Sequence, residues 1–239
     1  MCTVTFIGSI KGSFLLTSNR DEKVVRSTLA PAIYPVGKQN VAYPKDSIAG
    51  GTWIAMGKNG IVVCLLNGGF QLHESKESYR KSRGLIVLDV FRFSSISDFI
   101  RNSDLDGIEP FTLILFNAKS HELVELVWDE HEKHTKKLDA TKNYFWSSAT
   151  LYSPSIAAER KTMFMELIKR ETKIEKGLIA DLHRKTKEEG GFLLKRNDGI
   201  ETVSITQLTL NGRIGNMTYQ DLIKSELKLV HFPWQRVLR

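Results

Sequence analysis

The chain has 239 residues, 41% of them hydrophobic, and a formal net charge of +7. That length and apolar content can bury a core, whether as one large domain or two small ones. The sequence holds no long uncharged apolar stretch that would read as a membrane-spanning helix, and its two cysteines, Cys2 and Cys64, make no disulfide framework. The apolar run after Met1 is interrupted by Gly8 and Lys11 and has no basic residue before it, a poor signal peptide, so a soluble cytoplasmic protein is expected. Lys and Arg are scattered beside Glu, as in "KRETKIEKG" and "HRKTKEEGG". Such runs read as solvated helix surface and not as a nucleic-acid contact, although a mild positive field would attract an anionic small molecule.

In chain order, "TVTFI" and "SFLLTS" predict two strands turning near Lys11-Gly12. Residues 23–50, with Pro31, Pro35 and Pro44, read as a long loop that wraps a site. "TWIAM" and "IVVCLL" flank Asn59-Gly60, a hairpin signal. Apolar spacing predicts a helix over about residues 76–93 and a short one over 94–101. "FTLILFN", "ELVELVW", "KHTKKL" and "NYFWSS" read as a strand meander. Pro154 opens a helix over 155–170, and a second covers about 174–189 up to Gly190-Gly191. "TVSITQLTL", "IGNMTY" and "ELKLVHF" return to strand. No repeat or linker interrupts the chain, and one α+β domain over residues 1–239 is expected.

The hairpins suggest a site. A turn around Lys11 makes partner numbers sum to about 22, so that Cys2 would face Arg20, with Asn19 and Asp21 beside it. A turn between Lys58 and Asn59 makes them sum to about 117 and sets Asn67 against Gly50. If both hairpins share one sheet, a thiol, an Arg, an Asp, an Asn amide and the glycine backbone of Gly50, Gly51 and Gly68 converge. Those are parts for acyl transfer: nucleophile, base, orienting carboxylate and oxyanion donors. With Met1 removed, Cys2 would carry an α-amino group of ordinary pKa about 7.7–8.0, able to take the proton of a thiol at about 8.5. Arg20 and Asp21 alternate along a strand, so both can serve Cys2 only if the chain turns or bulges over residues 19–22. Arg20 would then lie beside the thiol and Asp21 would reach the amine.

Other residues read more plainly. Cys64 belongs to an apolar strand and to the core. His131 and His134, in "DEHEKHTKK", lie in a polar turn, and no metal site is expected. Trp53, Trp128 and Trp234 read as packing residues, whereas Trp146 adjoins a strand end that could face the site. Lys45 and Asp46 read as solvated residues at a pocket rim.

"MCTVTFI", "TSNRDE", "GGTWIAM" and "GIVVCLLN" resemble the NRDE family, also called the Transport and Golgi organisation 2 family, over about the first 70 residues. That family in turn resembles cysteine N-terminal-nucleophile hydrolases such as penicillin V acylase and bile salt hydrolase. The resemblance implies a four-layer αββα sandwich of two antiparallel sheets flanked by helices. It also implies an amidohydrolase acting on a nonpeptide C–N bond, with Cys2 as nucleophile, Arg20 and Asp21 as its polar partners and Asn67 as oxyanion donor. Asn19, Gly50, Gly51, Gly68, Trp146 and Ser148 would line the substrate. The pattern departs in two places: Ser147 or Ser148 stands where a second Asn is expected, and Val203 or a neighbour where a later Arg is expected. No cofactor is needed for such a reaction. The rival expectation is a noncatalytic carrier of haem or a lipid-like ligand.

Overall fold

The computed structural model describes residues 3–8, 13–211 and 214–233. The first hairpin, β1 (Thr3–Ile7) and β2 (Leu15–Lys23), has the predicted register: Val4 pairs with Ser18 and Thr5 with Thr17, each pair summing to 22. The expected placement of Cys2 opposite Arg20 lies outside the described residues. The stretch expected as a loop is instead a hairpin, β3 (Thr28–Val36) and β4 (Gln39–Asp46). Its prolines are tolerated because β3 is an edge strand and the pairing skips between Leu29 and Ala32, where Pro31 and Pro44 fall. β5 (Ile54–Gly57) and β6 (Ile61–Asn67) pair with Ile54 opposite Cys64, a sum of 118, one residue from the predicted register.

β7 (Phe111–Asn117), β8 (Glu122–Trp128) and β9 (Lys133–Leu138) continue that sheet, giving the order β3-β4-β5-β6-β7-β8-β9. The other sheet joins β10 (Tyr144–Ser147) to the amino- and carboxy-terminal strands in the order β10-β1-β2-β11-β12-β13, with β11 (Ile200–Asn211), β12 (Ile214–Asp221) and β13 (Glu226–Pro233). All pairs are antiparallel. The two predicted hairpins therefore lie in different sheets, which corrects the expectation of a shared one. Their ends can meet only across the sandwich.

Helices cover both outer faces. The predicted helix over 76–93 shortens to α1 (Arg83–Asp89) and a 3₁₀ turn over Val90–Arg92, because residues 76–82 are mostly polar and follow an irregular path. α1 and α2 (Ile96–Asn102) add Ile86, Val87, Ile96 and Phe99 to the core around the seven-stranded sheet. α3 (Pro154–Arg170), capped by Ser153, and α4 (Lys176–Arg184) pack on the other sheet through Phe164, Ile179 and Leu182 against Leu15, Phe145 and Phe192. α4 ends before its predicted limit. Gly190, at φ +76°, closes a turn that sends the chain back beside the helix, where the Phe192 amide donates to the Leu182 carbonyl.

The two sheets are joined by aromatic packing. Phe6 of β1 and Phe14 both meet Phe116 of β7 edge to face, at centroid distances of 5.2 and 5.0 Å. Phe116 is 1% exposed. Phe116→Ala should therefore destabilise the fold by about 3–5 kcal/mol, read as a lower urea midpoint at unchanged slope.

Candidate functional site

β2 is buried in the middle of a sheet with layers on both sides, so its side chains alternate between two environments. Leu16, Ser18 and Arg20 face the second sheet. Leu15, Thr17, Asn19 and Asp21 face α3, α4 and the chain that links α4 to β11. The strand runs unbroken through residues 19–22, and the predicted bulge there is absent. The irregularity falls on the partner strand instead, where Arg20 pairs with Ser204 and Asp21 with Thr202, so that Val203 is the extra residue. Arg20 and Asp21 consequently point to opposite sides.

Arg20 is 3% exposed and reaches across the sandwich. Its Nη2 donates to Asp46 Oδ2 at 2.8 Å, its Nη1 donates to the Arg26 carbonyl at 3.0 Å, and the guanidinium lies 4.8 Å from the Trp53 ring centre. Arg26 Nε donates to the same Asp46 oxygen at 2.7 Å and pairs with Glu22 at 3.3 Å. Asp46 Oδ1 accepts from the Ile48 and Ala49 amides at 3.0 and 2.8 Å. Burial alone would raise the Asp46 pKa, but the Ala49 amide and the two arginines outweigh it and hold the carboxyl below the ordinary carboxylate range. Asp46, expected to be solvated, is instead the buried anion that fixes Arg20.

These groups form one wall of an open cleft whose other walls include Gly51, Trp53, Asn67 and Arg83. Arg83 pairs with Glu109 at 2.9 Å, and burial pushes its pKa down. Arg20, Asn67 and Gly51 are thus brought together as expected. Two of the glycines do not offer the expected free amides. Gly50 N–H closes the turn onto the Asp46 carbonyl at 3.0 Å, and Gly68 N–H donates to Pro110 at 3.0 Å; both residues have positive φ. Gly51 serves contact instead, since a Cβ there would lie 2.4 Å from the Gly84 carbonyl carbon at the start of α1. Ser148 Oγ donates to the Asn67 carbonyl at 2.7 Å and so ties the end of β10 to the end of β6. Trp146 lies away from the cleft. Its Nε1 donates to Glu125 at 2.5 Å, and its ring stacks on Tyr144. Cys2 lies outside the described residues.

On the opposite side of β2, Asp21 is fully buried and accepts from Thr202 Oγ1 at 2.6 Å and from the Tyr152 hydroxyl at 3.3 Å. Desolvation raises its pKa, while the Thr202 bond and the charge of Arg160 work against that rise. Asn19 joins a separate network, and its place there is structural. Its amide donates to the His183 and Phe192 carbonyls, while His183 Nδ1 donates to Asn19 Oδ1 at 2.6 Å and His183 Nε2 accepts from Thr5 at 2.9 Å. His183 is fully buried, and desolvation lowers its pKa to about 3, so the ring is neutral.

Sequence reading missed Asp46, Arg26 and Arg83 on one side, and Tyr152, Arg160 and His183 on the other. Asp46 had a signal, because an Asp before "SIAGG" suits a turn in which the carboxylate caps following amides. His183 had one too, in the spacing Ile179, Leu182, His183 along one helix face.

Residues 1–207 match the protein family described as Transport and Golgi organisation 2. No curated protein sequence matches the chain. Among solved structures, it is similar to a mutant of the conjugated bile acid hydrolase from Clostridium perfringens in which cysteine 2 is replaced by alanine. That likeness has 10% identity, a TM-score of 0.62, and 96% of this chain and 92% of that one covered. Another variant of the same hydrolase gives 11% identity and a TM-score of 0.61 over 100% and 98% of the two chains. The Caenorhabditis elegans ortholog of N-acylethanolamine-hydrolyzing acid amidase gives 10% identity and a TM-score of 0.59 over 87% and 92%. The fold is therefore α+β and of the N-terminal-nucleophile-hydrolase type, two antiparallel sheets between helices.

Two outcomes follow from the buried charges. Asp46→Ala leaves Arg20 buried without its anion and should cost about 3–5 kcal/mol, against about 1 kcal/mol for the more exposed Arg26→Ala, measured by chemical denaturation. For His183 the folded pKa of about 3 lies below the unfolded value of about 6.5, so unfolding takes up a proton between them. Its contribution is complete above about pH 6.5 and is lost as pH falls toward 3. The stability advantage of the wild type over His183→Gln should shrink by up to about 1.4 kcal/mol per pH unit between pH 6.5 and 4.

Proposed function

The chain belongs to the Transport and Golgi organisation 2 family, and on that premise we propose that it is a cysteine amidohydrolase whose Cys2 attacks the carbonyl of a nonpeptide amide. One observation carries the reading. The Tyr152 hydroxyl donates to Asp21 at 3.3 Å, and Arg160, whose guanidinium lies over the Tyr152 ring, donates to Thr3 at 2.7 Å, so the buried carboxylate is linked through two side chains to the residue that follows Cys2. The opposite face of the same strand presents Arg20 to a cleft that Asn67 also lines. Solved proteins of like fold that are named a hydrolase and an acid amidase add support.

In this reading Met1 is removed and the α-amino group of Cys2 is the base. The thiol proton passes to that nitrogen as sulfur bonds to the carbonyl carbon. The Asn67 amide, whose side chain makes no hydrogen bond among the described residues, donates to the oxyanion. The proton then moves to the leaving nitrogen, the C–N bond breaks, and a thioester remains. Water cleaves the thioester, giving one proton to sulfur by way of the amine and releasing the acid. Asp21 orients the amine, and Arg20, fixed by Asp46, favours the thiolate. Beside Asn67 the chain continues into a groove with exposed Phe70 and Leu72, flanked by Leu151 and Pro154, where an apolar acyl group would lie. Carriage of haem would need an axial ligand. His183, the fully buried histidine among the described residues, has both ring nitrogens engaged in hydrogen bonds.

Intact mass should show loss of Met1, and a fluorogenic N-acyl amide should trap an acyl adduct on Cys2. Cys2→Ala should lower turnover at least about a thousandfold with little change in melting temperature. Retention of Met1, or a Cys2 alkylation midpoint at the ordinary thiol value with no turnover, would overturn the reading.

A further inference from the structure

The helix-facing side of β2 holds a second buried charge that the reaction as written does not use. Arg160, in the second turn of α3, is 6% exposed. Its Nη2 donates to Thr3 Oγ1 at 2.7 Å and to the Phe192 carbonyl at 3.2 Å. Its guanidinium lies between two rings, 4.4 Å from the centre of Tyr152 and 4.9 Å from that of Phe192. Its Nε is buried without a partner among the described residues, and no carboxylate there forms an ion pair with it. This is an expensive way to fill a helix position. An apolar side chain could pack between Tyr152 and Phe192 without bringing a charge into the interior.

Asp21 has the complementary problem. It is buried with two hydroxyl donors, Thr202 on β11 and Tyr152 before α3, and no bonded cation among the described residues. Among the described residues, the charged and titratable groups on its side of β2 are Arg160 from α3, Tyr152 from the preceding turn and neutral His183 from α4. Arg160 is the cation among them, and Tyr152 bridges the two: its ring faces the guanidinium and its hydroxyl meets the carboxylate. Desolvation raises the Asp21 pKa, and the Thr202 bond and nearby positive charge, that of Arg160 among the described residues, act against that rise.

We propose that Arg160 is a positioning residue for the amino-terminal nucleophile: it clamps Thr3, the residue after Cys2, and supplies positive charge that favours the carboxylate form of Asp21. The proposal rests on the reading of Cys2 as nucleophile, but only in its second half. A protonated Asp21 would offer a donor where the reaction needs an acceptor for the ammonium form of the Cys2 amine. Arg160 would thereby influence proton movement at sulfur without touching substrate.

The test titrates the Asp21 carboxyl by carbon NMR in the intact protein, beside the pH dependence of Cys2 alkylation. In Arg160→Met the Asp21 midpoint should rise by about one pH unit or more, a tenfold change in its proton affinity, while Arg160→Lys should recover most of it. The Cys2 alkylation midpoint should move in Arg160→Met but not when the same change is made in an Asp21→Asn background. An Asp21 midpoint that stays put in folded Arg160→Met overturns the proposal, whatever Cys2 does. If Asp21 shifts while Cys2 behaves as an ordinary thiol in the wild type, the nucleophile reading fails and the electrostatic coupling stands. If Arg160→Met does not fold, the Arg160→Met/Asp21→Asn double variant decides. Recovery of folding supports coupling of the two charges, and continued failure to fold overturns it.

Discussion

Consecutive burial of Arg20 and Asp21 on β2 is the constraint from which the rest of the site follows. Two adjacent residues of opposite charge on an extended strand cannot neutralise each other, because their side chains leave on opposite faces. Each must be satisfied by the layer it enters. Arg20 obtains Asp46 from the far sheet, and Asp46 in turn is held by the turn amides of residues 48 and 49 and by Arg26. Asp21 obtains the hydroxyls of Thr202 and Tyr152 from its own side. One strand thereby couples the inter-sheet space to the helical layer through polar contacts, where a wholly apolar strand would have left the layers joined by packing alone.

That arrangement explains which parts of the sequence were readable. The strands of the first hairpin and their register came from local chemistry, the alternation of "TVTFI" and a turn near Lys11-Gly12, and the described pairs agree. The αββα arrangement was legible through resemblance. Periodicity alone suggested strands in two blocks with helices between them. In the structure β10 returns beside β1, and β11 beside β2, with the whole second sheet inserted in sequence between them. Pairing across such distances leaves no mark in a local window. The loop expected over residues 23–50 failed for a different reason. Pro31, Pro35 and Pro44 normally argue against strand, yet here they occupy an edge and a break in register, where no ladder bond is lost.

The site was half legible. Arg20 and Asn67 do line one cleft, but they arrive from different sheets. The partners that give Arg20 its environment come from a segment that looked solvated. "YPKDSI" is polar in composition, and only the turn geometry shows that Asp46 must point inward to cap amides. On the other side, Tyr152, Arg160 and His183 come from the residues around α3 and α4, more than a hundred positions from β2. Nothing near Asp21 in sequence announces them.

The opposed faces also bear on how protons could be handled at the end of β1. A thiol and an amine on one residue need different surroundings: a positive field stabilises the thiolate, and a carboxylate stabilises the ammonium. Were Arg20 and Asp21 on one face within contact distance, they would form an ion pair with each other and act on neither group. The unbroken strand prevents this, and the extra residue at Val203 on β11 lets Thr202 reach Asp21 without turning Arg20 out of the inter-sheet space. Asp46 and Arg160 then extend the separation outward, an anion behind the cation and a cation behind the anion. Arg20 is held by Asp46 and Asp21 by the Thr202 and Tyr152 hydroxyls, so in the proposed reaction neither would have to move as a proton passed between sulfur and nitrogen. Such fixed, preorganised charges would favour the proposed reaction because no solvent reorganisation would accompany the transfer.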